Sequence, residues 1–277
     1  MAAFALEDVC IKATSEILPT GQILIMFGLG GAFIFACLSL LNDERLISAD
    51  VISSPMRIRL FFEILGRLFY VLAITLTPLS SATVILQATP IVVVAGAALI
   101  FGETVGWRRW TAIFIGLIGV VIIVRPGSDG FSILSIFAVL GTLGFAGRDL
   151  ASRAAPLSLS ASILGLYGFL AVVVTGCAYA VWDKAPFIQP NTIVSLYLIG
   201  AVIVGVVGYG SLMKAMRTGE VSSVTPFRYS RLIFGVAFGV ILFRETLELS
   251  MIIGCGFIVA SGLFILWRGK QARASTQ

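Results

Sequence analysis

Ten apolar stretches, each near the length that crosses a bilayer, follow one another along the chain with short polar breaks between them. They lie at 1–16, 21–41, 58–77, 80–101, 107–125, 131–150, 158–182, 193–213, 221–243 and 249–267. A helix needs roughly 17–25 apolar residues to span the hydrocarbon core. In lipid every backbone N–H and C=O must be paired inside the protein, which leaves only helices or closed barrels. The residue alternation of a barrel strand is absent. The expected fold is therefore all-α and polytopic, with ten transmembrane helices. Composition points the same way: 58% of the 277 residues are hydrophobic and 12% are charged. That is half the roughly 25% charged residues of a soluble domain.

The same inventory removes several chemistries. The chain has no histidine, so His-based triads, His metal ligands and a His proton relay are excluded. Cys10, Cys37, Cys177 and Cys255 sit singly in apolar segments with no CxxC pair, and read as small buried hydrophobes rather than a zinc site or disulfide framework. The longest loop, Asn42 to Met56, is too short for a domain, and no glycine-rich phosphate loop occurs. No cofactor and no metal are expected, and any transport energy comes from a gradient. The net charge of +5 does not point to nucleic acid, because basic residues of membrane proteins mostly set topology.

Placing the N-terminus in the cytoplasm gathers Arg45, Arg57, Arg59, Arg108, Arg109, Arg148, Arg153, Lys214, Arg217, Arg268, Lys270 and Arg273 at cytoplasmic ends. The other side keeps Arg125, Lys184 and Arg244, with Lys12 ambiguous near the end of the first helix. This positive-inside bias puts both termini in the cytoplasm, in an inner-membrane protein. Trp107, Trp110, Trp182 and Trp267 fall near span ends, as an interfacial aromatic belt requires.

Two stretches share one design. Ser80 to Gly127 and Ser222 to Gly269 both open with Ser-Ser and a Thr, and both carry a proline inside an apolar helix. Each closes that helix with Phe-x-Glu-Thr, at 101–104 and 243–246, and continues into a Gly-studded span ending at Arg125 or Arg268. Two halves follow, 1–130 and 131–277. Five helices per half is odd, so the second half is expected upside down relative to the first. Inverted repeats with a site at their interface are a recurring plan of secondary transporters.

The proline-bearing helix, then Gly102-Glu103 to Trp110, then the Gly-rich span ending Arg125-Pro126-Gly127, resembles the drug/metabolite transporter superfamily, EamA type. The segment Thr225-Pro226-Phe227-Arg228-Tyr229-Ser230-Arg231 is similar to the second-half counterpart in bacterial members. The resemblance covers essentially the whole chain. It implies a ten-helix basket that moves small metabolites by alternating access, with a substrate range running from amino acids to riboflavin, S-adenosylmethionine and drugs. Members have a longer first helix, so either this one is short or the natural start lies upstream of Met1.

Ionisable residues inside spans are the candidates for function, because each costs at least a few kcal/mol unless it is paired or faces a wet cavity. Glu63 and Arg67 are four apart on the third helix and share a face, as a structural ion pair or as a cavity site. On the first helix Asp8 and Lys12 have the same spacing, and Glu7 and Asp8 point to different faces. Arg148 and Asp149 close the sixth helix near the cytoplasmic surface as an interface anchor, while the resemblance implies that this helix borders the cavity. Arg228 and Arg231 either snorkel to the headgroups or hold an anionic group of the substrate, or else neutralise Glu63 or Asp8. Tyr229 and Gln87 can orient a ligand, and Pro90 and Pro226 mark hinge points. Glycines at 116, 119, 254 and 256 permit close helix contact, and Glu103 and Glu245 end helices at the surface and read as local caps or pairs rather than transport residues.

The leading function is secondary active transport of a small organic metabolite, amino-acid-like or flavin- and nucleoside-like, coupled to protons or to exchange. A lipid or polyisoprenoid flippase is the alternative, and an integral-membrane enzyme a more distant one. The only adjacent acid pairs for an enzyme are Glu7-Asp8 and Asp43-Glu44. The partners expected are a small-molecule substrate and the lipid bilayer. Monomer and homodimer both remain open.

Overall fold

The computed structural model describes residues 1–101, 107–124, 134–218 and 230–274. Among these the only regular structure is helical. The long helices are α1 (Ala2–Ser15), α2 (Thr20–Leu41), α3 (Ser54–Leu76), α4 (Leu79–Leu86), α5 (Thr89–Phe101), α6 (Trp107–Val124), α7 (Ser135–Arg153), α8 (Ala161–Asp183), α9 (Thr192–Thr218), α10 (Ser230–Phe243) and α11 (Leu249–Ala274). The chain is an all-helical, multi-span integral membrane protein. Its helices begin and end where local chemistry dictates. Pro55 starts α3, where a missing N–H costs nothing. Ser160 caps α8 by accepting the Ile163 N–H at 3.1 Å. Lys184 closes α8 in a left-handed conformation, φ 55°.

Four stretches are long and apolar enough to cross a bilayer by length and composition: Thr20–Leu41, Leu79–Ile100, Ala161–Asp183 and Thr192–Ala215. Their outward residues are the bulky apolar ones that a soluble protein hides, such as Phe33 and Leu99, 71% and 76% exposed. Helices α1, α3 and α7 fall outside that group, and they carry most of the buried charge, including Glu7, Glu63, Arg67, Arg148 and Asp149.

The span expected at 80–101 is two helices, not one. Pro90 has no N–H to give to the Leu86 carbonyl, and the Thr89 hydroxyl takes its place at 2.5 Å. The backbone tightens there, Gln87 and Ala88 donating to Val84 and Ile85 three residues back. The start of the span expected at 221–243, with its Pro226, lies outside the described residues.

Helices pack in pairs: α2 on α8, α3 on α7, α6 on α11, α1 on α9 and α4 on α10. Small residues set the closest crossings. A methyl group on Gly144 would fall on the Gly66 backbone, so α3 and α7 touch main chain to main chain. Gly119 and Gly254 do the same for α6 and α11, where an added Cβ on Gly119 would sit 2.7 Å from the Gly254 carbonyl oxygen. Gly256, expected to share this role, has nothing within 4 Å. Phe27, Phe35, Phe169 and Tyr209 form a stack between α2, α8 and α9, with ring centroids 5.1–6.2 Å apart.

Candidate substrate site: a buried charge network

Helix α3 carries a polar ladder through the middle of this apolar body. Arg59, Glu63, Arg67 and Tyr70 recur at three- and four-residue intervals, so they line one face over roughly 16 Å at 1.5 Å per residue. None is more than 5% exposed. Each rung is met by residues from other helices, and the result is two linked clusters.

The upper cluster joins α1, α3 and α10. Arg67 Nη1 donates to Glu7 Oε1 at 2.6 Å. Arg231 donates to Asp8 Oδ2 through Nη2 and Nε at 2.6 and 3.2 Å. The Tyr70 hydroxyl donates to the same Asp8 oxygen at 3.1 Å. Aromatic faces complete the coordination of both cations. Arg67 lies over Phe27 and Phe145 at 5.3 and 5.9 Å, and Arg231 over Phe4 and Tyr70 at 5.1 and 5.3 Å.

The lower cluster joins α3, α7, α8 and α9. Glu63 receives Arg148 at 3.3 Å and the Tyr209 hydroxyl at 2.7 Å, and Arg59 Nη2 stands 3.8 Å away. Arg148 also grips Asp149 at 2.8 Å. Arg59 is held by the Leu164 carbonyl and Ser152 Oγ, both at 3.0 Å, and by the Tyr209 hydroxyl. Buried ion pairs seldom stabilise a fold, since the cost of desolvation rivals their attraction. Their concentration inside a membrane body makes them the candidate functional site.

The upper cluster and, from the lower one, Arg148 border a cavity of about 50 Å³, which Glu7, Arg67, Tyr70, Gln87, Pro90, Arg148 and Arg231 line together with Met1, Phe4 and Phe145. Sites for drug-sized ligands measure roughly 300–1,000 Å³. This one is several times smaller.

The structure redraws several expected partnerships. Glu63 and Arg67 share a face but do not pair, because Glu63 is taken by Arg148 and Tyr209 and Arg67 by Glu7. Lys12 does not turn to Asp8. It reaches the far end of the bundle, donating to the Ile74 and Thr77 carbonyls at 3.2 and 2.8 Å, and it does not line the cavity. Arg231 does not snorkel, since it is paired with Asp8. Arg148 is 5% exposed rather than at the interface, and Arg59, expected to mark a cytoplasmic end, is fully buried. Gln87 is 3% exposed at the break between α4 and α5, beside Pro90. Arg228 and Tyr229 lie outside the described residues.

From the sequence Arg59 has a topological role only, and neither Tyr70 nor Tyr209 is marked. The signal for the first two was their spacing, four before Glu63 and three after Arg67. Tyr209 offered less: a hydroxyl amid the apolar run of α9, with glycine on either side. Among the described residues no group of three or more His, Cys, Asp or Glu is placed to hold a metal.

Charged side chains thus border a narrow cavity between the helices of a membrane body. The chain belongs to the EamA-like transporter family, whose model matches residues 1–125 and again 132–267. It is 24% identical over 218 residues to the S-adenosylmethionine uptake transporter of Rickettsia prowazekii, covering 78% of this chain and 71% of that one. It is 27% identical to the riboflavin transporter of Vibrio cholerae over 78% and 72% of the two chains. The pseudopaline exporter CntI of Pseudomonas aeruginosa PAO1 is 25% identical over 97% of this chain and 93% of its own. A solved crystal structure shares the fold at a TM-score of 0.66 and 18% identity, covering 94% and 92% of the two chains.

Proposed function

We propose that this protein moves a small organic metabolite across a bacterial inner membrane by alternating access. The observation that carries the reading is the narrow, charge-lined cavity of about 50 Å³ between α1, α3, α4, α5, α7, α9 and α10. A polar site too small for its solute in one conformation requires another in which it opens. Glu7, Asp8, Glu63, Arg67, Arg148 and Arg231 supply ion pairs that a polar solute can exchange for its own groups. Gln87 and Tyr70 add hydrogen-bonding groups, and the Pro90 break is the hinge.

The body consists of ten spans in two inverted halves, 1–130 and 131–277, with both termini in the cytoplasm. The packing supports this. Exchanging each first-half helix for its second-half counterpart turns α2–α8, α6–α11 and α4–α10 into themselves, and turns α3–α7 into α9–α1. The basic residues collected at one side support the orientation. The relatives named for S-adenosylmethionine, riboflavin and pseudopaline supply the first solutes to try.

The test is flux into proteoliposomes for that panel and for zwitterionic amino acids, with and without a pH gradient. At least one solute accumulates, and Glu63→Gln abolishes its movement while leaving the protein folded. If no solute in any of these classes crosses, the reading fails.

A further inference from the structure

At the end of the bundle away from Met1, a second charged group stands apart from the cavity. Lys12, near the end of α1, lies across the last turn of α3 and donates to the carbonyls of Ile74 and Thr77 at 3.2 and 2.8 Å. A cation there completes a helix C-terminus. Glu245, just beyond α10, does the opposite at the start of α4. Its Oε1 accepts the Leu79 N–H at 2.6 Å, and its Oε2 accepts the Ser80 N–H at 2.9 Å and the Ser80 hydroxyl at 2.6 Å. The two side chains stand 3.7 Å apart, with Lys12 over the Phe243 ring at 5.3 Å. Glu245 reaches α4 only because the chain reverses at Arg244, φ 52°, a left-handed backbone unusual for a residue with a side chain. The Glu245 N–H then closes back on the Gly239 carbonyl at 3.1 Å.

Four elements, α1, α3, α4 and the turn after α10, therefore meet at one ion pair. Three belong to the first half of the chain and one to the second. Met1, Phe4 and Leu212 line the cavity on the side opposite this junction.

We propose that Lys12 and Glu245 are the residues that close the solute pathway at this end. The proposal rests on the alternating-access reading above. When the path opens here, α10 and α11 must part from α4, and the pair breaks together with the cap on Leu79 and Ser80. Water at the interface then takes over the freed backbone groups, so the latch releases without stranding them in lipid. The charges are not interchangeable. The ammonium completes a C-terminus and the carboxylate an N-terminus, so exchanging them puts each charge at the wrong helix end.

The test is thiol labelling without substrate, in protein whose Cys10, Cys37, Cys177 and Cys255 are replaced by serine. Thr83→Cys reports from α4, one turn inside the latch and buried. Leu212→Cys reports from the cavity side. Lys12→Met or Glu245→Gln raises the rate at which a membrane-impermeant reagent reaches Cys at 83 by roughly tenfold, which a 1.4 kcal/mol shift of the open–closed balance produces. Labelling at 212 falls in the same variants. Lys12→Arg restores both rates, and the Lys12→Glu/Glu245→Lys exchange does not. Rates unchanged in folded Lys12→Met protein overturn the proposal. So do rates that rise at both positions, which mean general loosening, and so does rescue by the exchange. The labelling needs no transported solute. A failed flux panel with reciprocal labelling would leave the latch standing and remove the metabolite reading.

Discussion

Asp8 and Arg231 provide the sharpest test of whether the buried charges serve transport or merely the fold. Two Arg231 nitrogens at 2.6 and 3.2 Å and the Tyr70 hydroxyl at 3.1 Å converge on a single Asp8 oxygen. The Asp8 side chain is 2% exposed and that of Arg231 13%. Asp8→Ala leaves a guanidinium buried without its counter-charge, and a guanidinium cannot shed its proton. Breaking such a pair costs about 3–5 kcal/mol, which is roughly two to four orders of magnitude in the folding equilibrium. Replacing both residues by apolar groups of similar size removes the stranded charge, and is about neutral for stability. Equilibrium unfolding in detergent micelles of wild type, Asp8→Ala, Arg231→Met and the Asp8→Leu/Arg231→Met double variant reads this directly. The double variant recovers most of the stability lost in Asp8→Ala, yet carries no solute in proteoliposomes. Losses that simply add would refute the pairing. A double variant that transports at the wild-type rate would refute its role in transport.

Three further outcomes follow from the same structure. Tyr209→Phe removes a donor from Glu63 and an acceptor from Arg59 in a fully buried site, costing about 1–3 kcal/mol on unfolding. Flux falls with it, and unchanged stability and flux would show the hydroxyl to be idle. Gly144→Ala forces α3 off α7 and costs about 1–3 kcal/mol or more, whereas Gly256→Ala, with open space around it, stays within about 0.5 kcal/mol of wild type. Thermal unfolding of the two variants side by side checks the contrast. Pro90→Ala gives the Leu86 carbonyl a backbone donor again and straightens the α4–α5 break, so stability holds or rises while flux drops several-fold. Flux at the wild-type level would show that the break does not move.

The succession of helices was legible because bilayer thickness and backbone pairing leave so few solutions for an apolar chain. Pro90 was legible as a weak point, since a proline's missing N–H is a local fact, but not as the boundary between two helices. The partners of the charges were not. Four-residue spacing says that Glu63 and Arg67 share a face, but it cannot weigh that contact against an arginine on α7, a tyrosine on α9 and a glutamate on α1. Those competitors are brought in by tertiary packing and won both residues. Arg59 misled for a related reason. Counting basic residues near span ends treats each as solvated, and only the packing of α3 on α7 and α8 reveals that this one is enclosed. Glu245 lay between the two cases, readable as a cap at a helix end although the helix that it caps belongs to the other half.

Solute flux through Glu63→Gln protein tests the central claim most directly. Glu63 joins Arg148, Tyr209 and Arg59 at the base of the ladder, and glutamine keeps its shape while removing its charge. For a solute that the wild-type protein accumulates in proteoliposomes, the account predicts folded Glu63→Gln protein with flux at the level of empty vesicles. Wild-type flux through that variant would contradict it, and would leave the buried network a matter of structure alone.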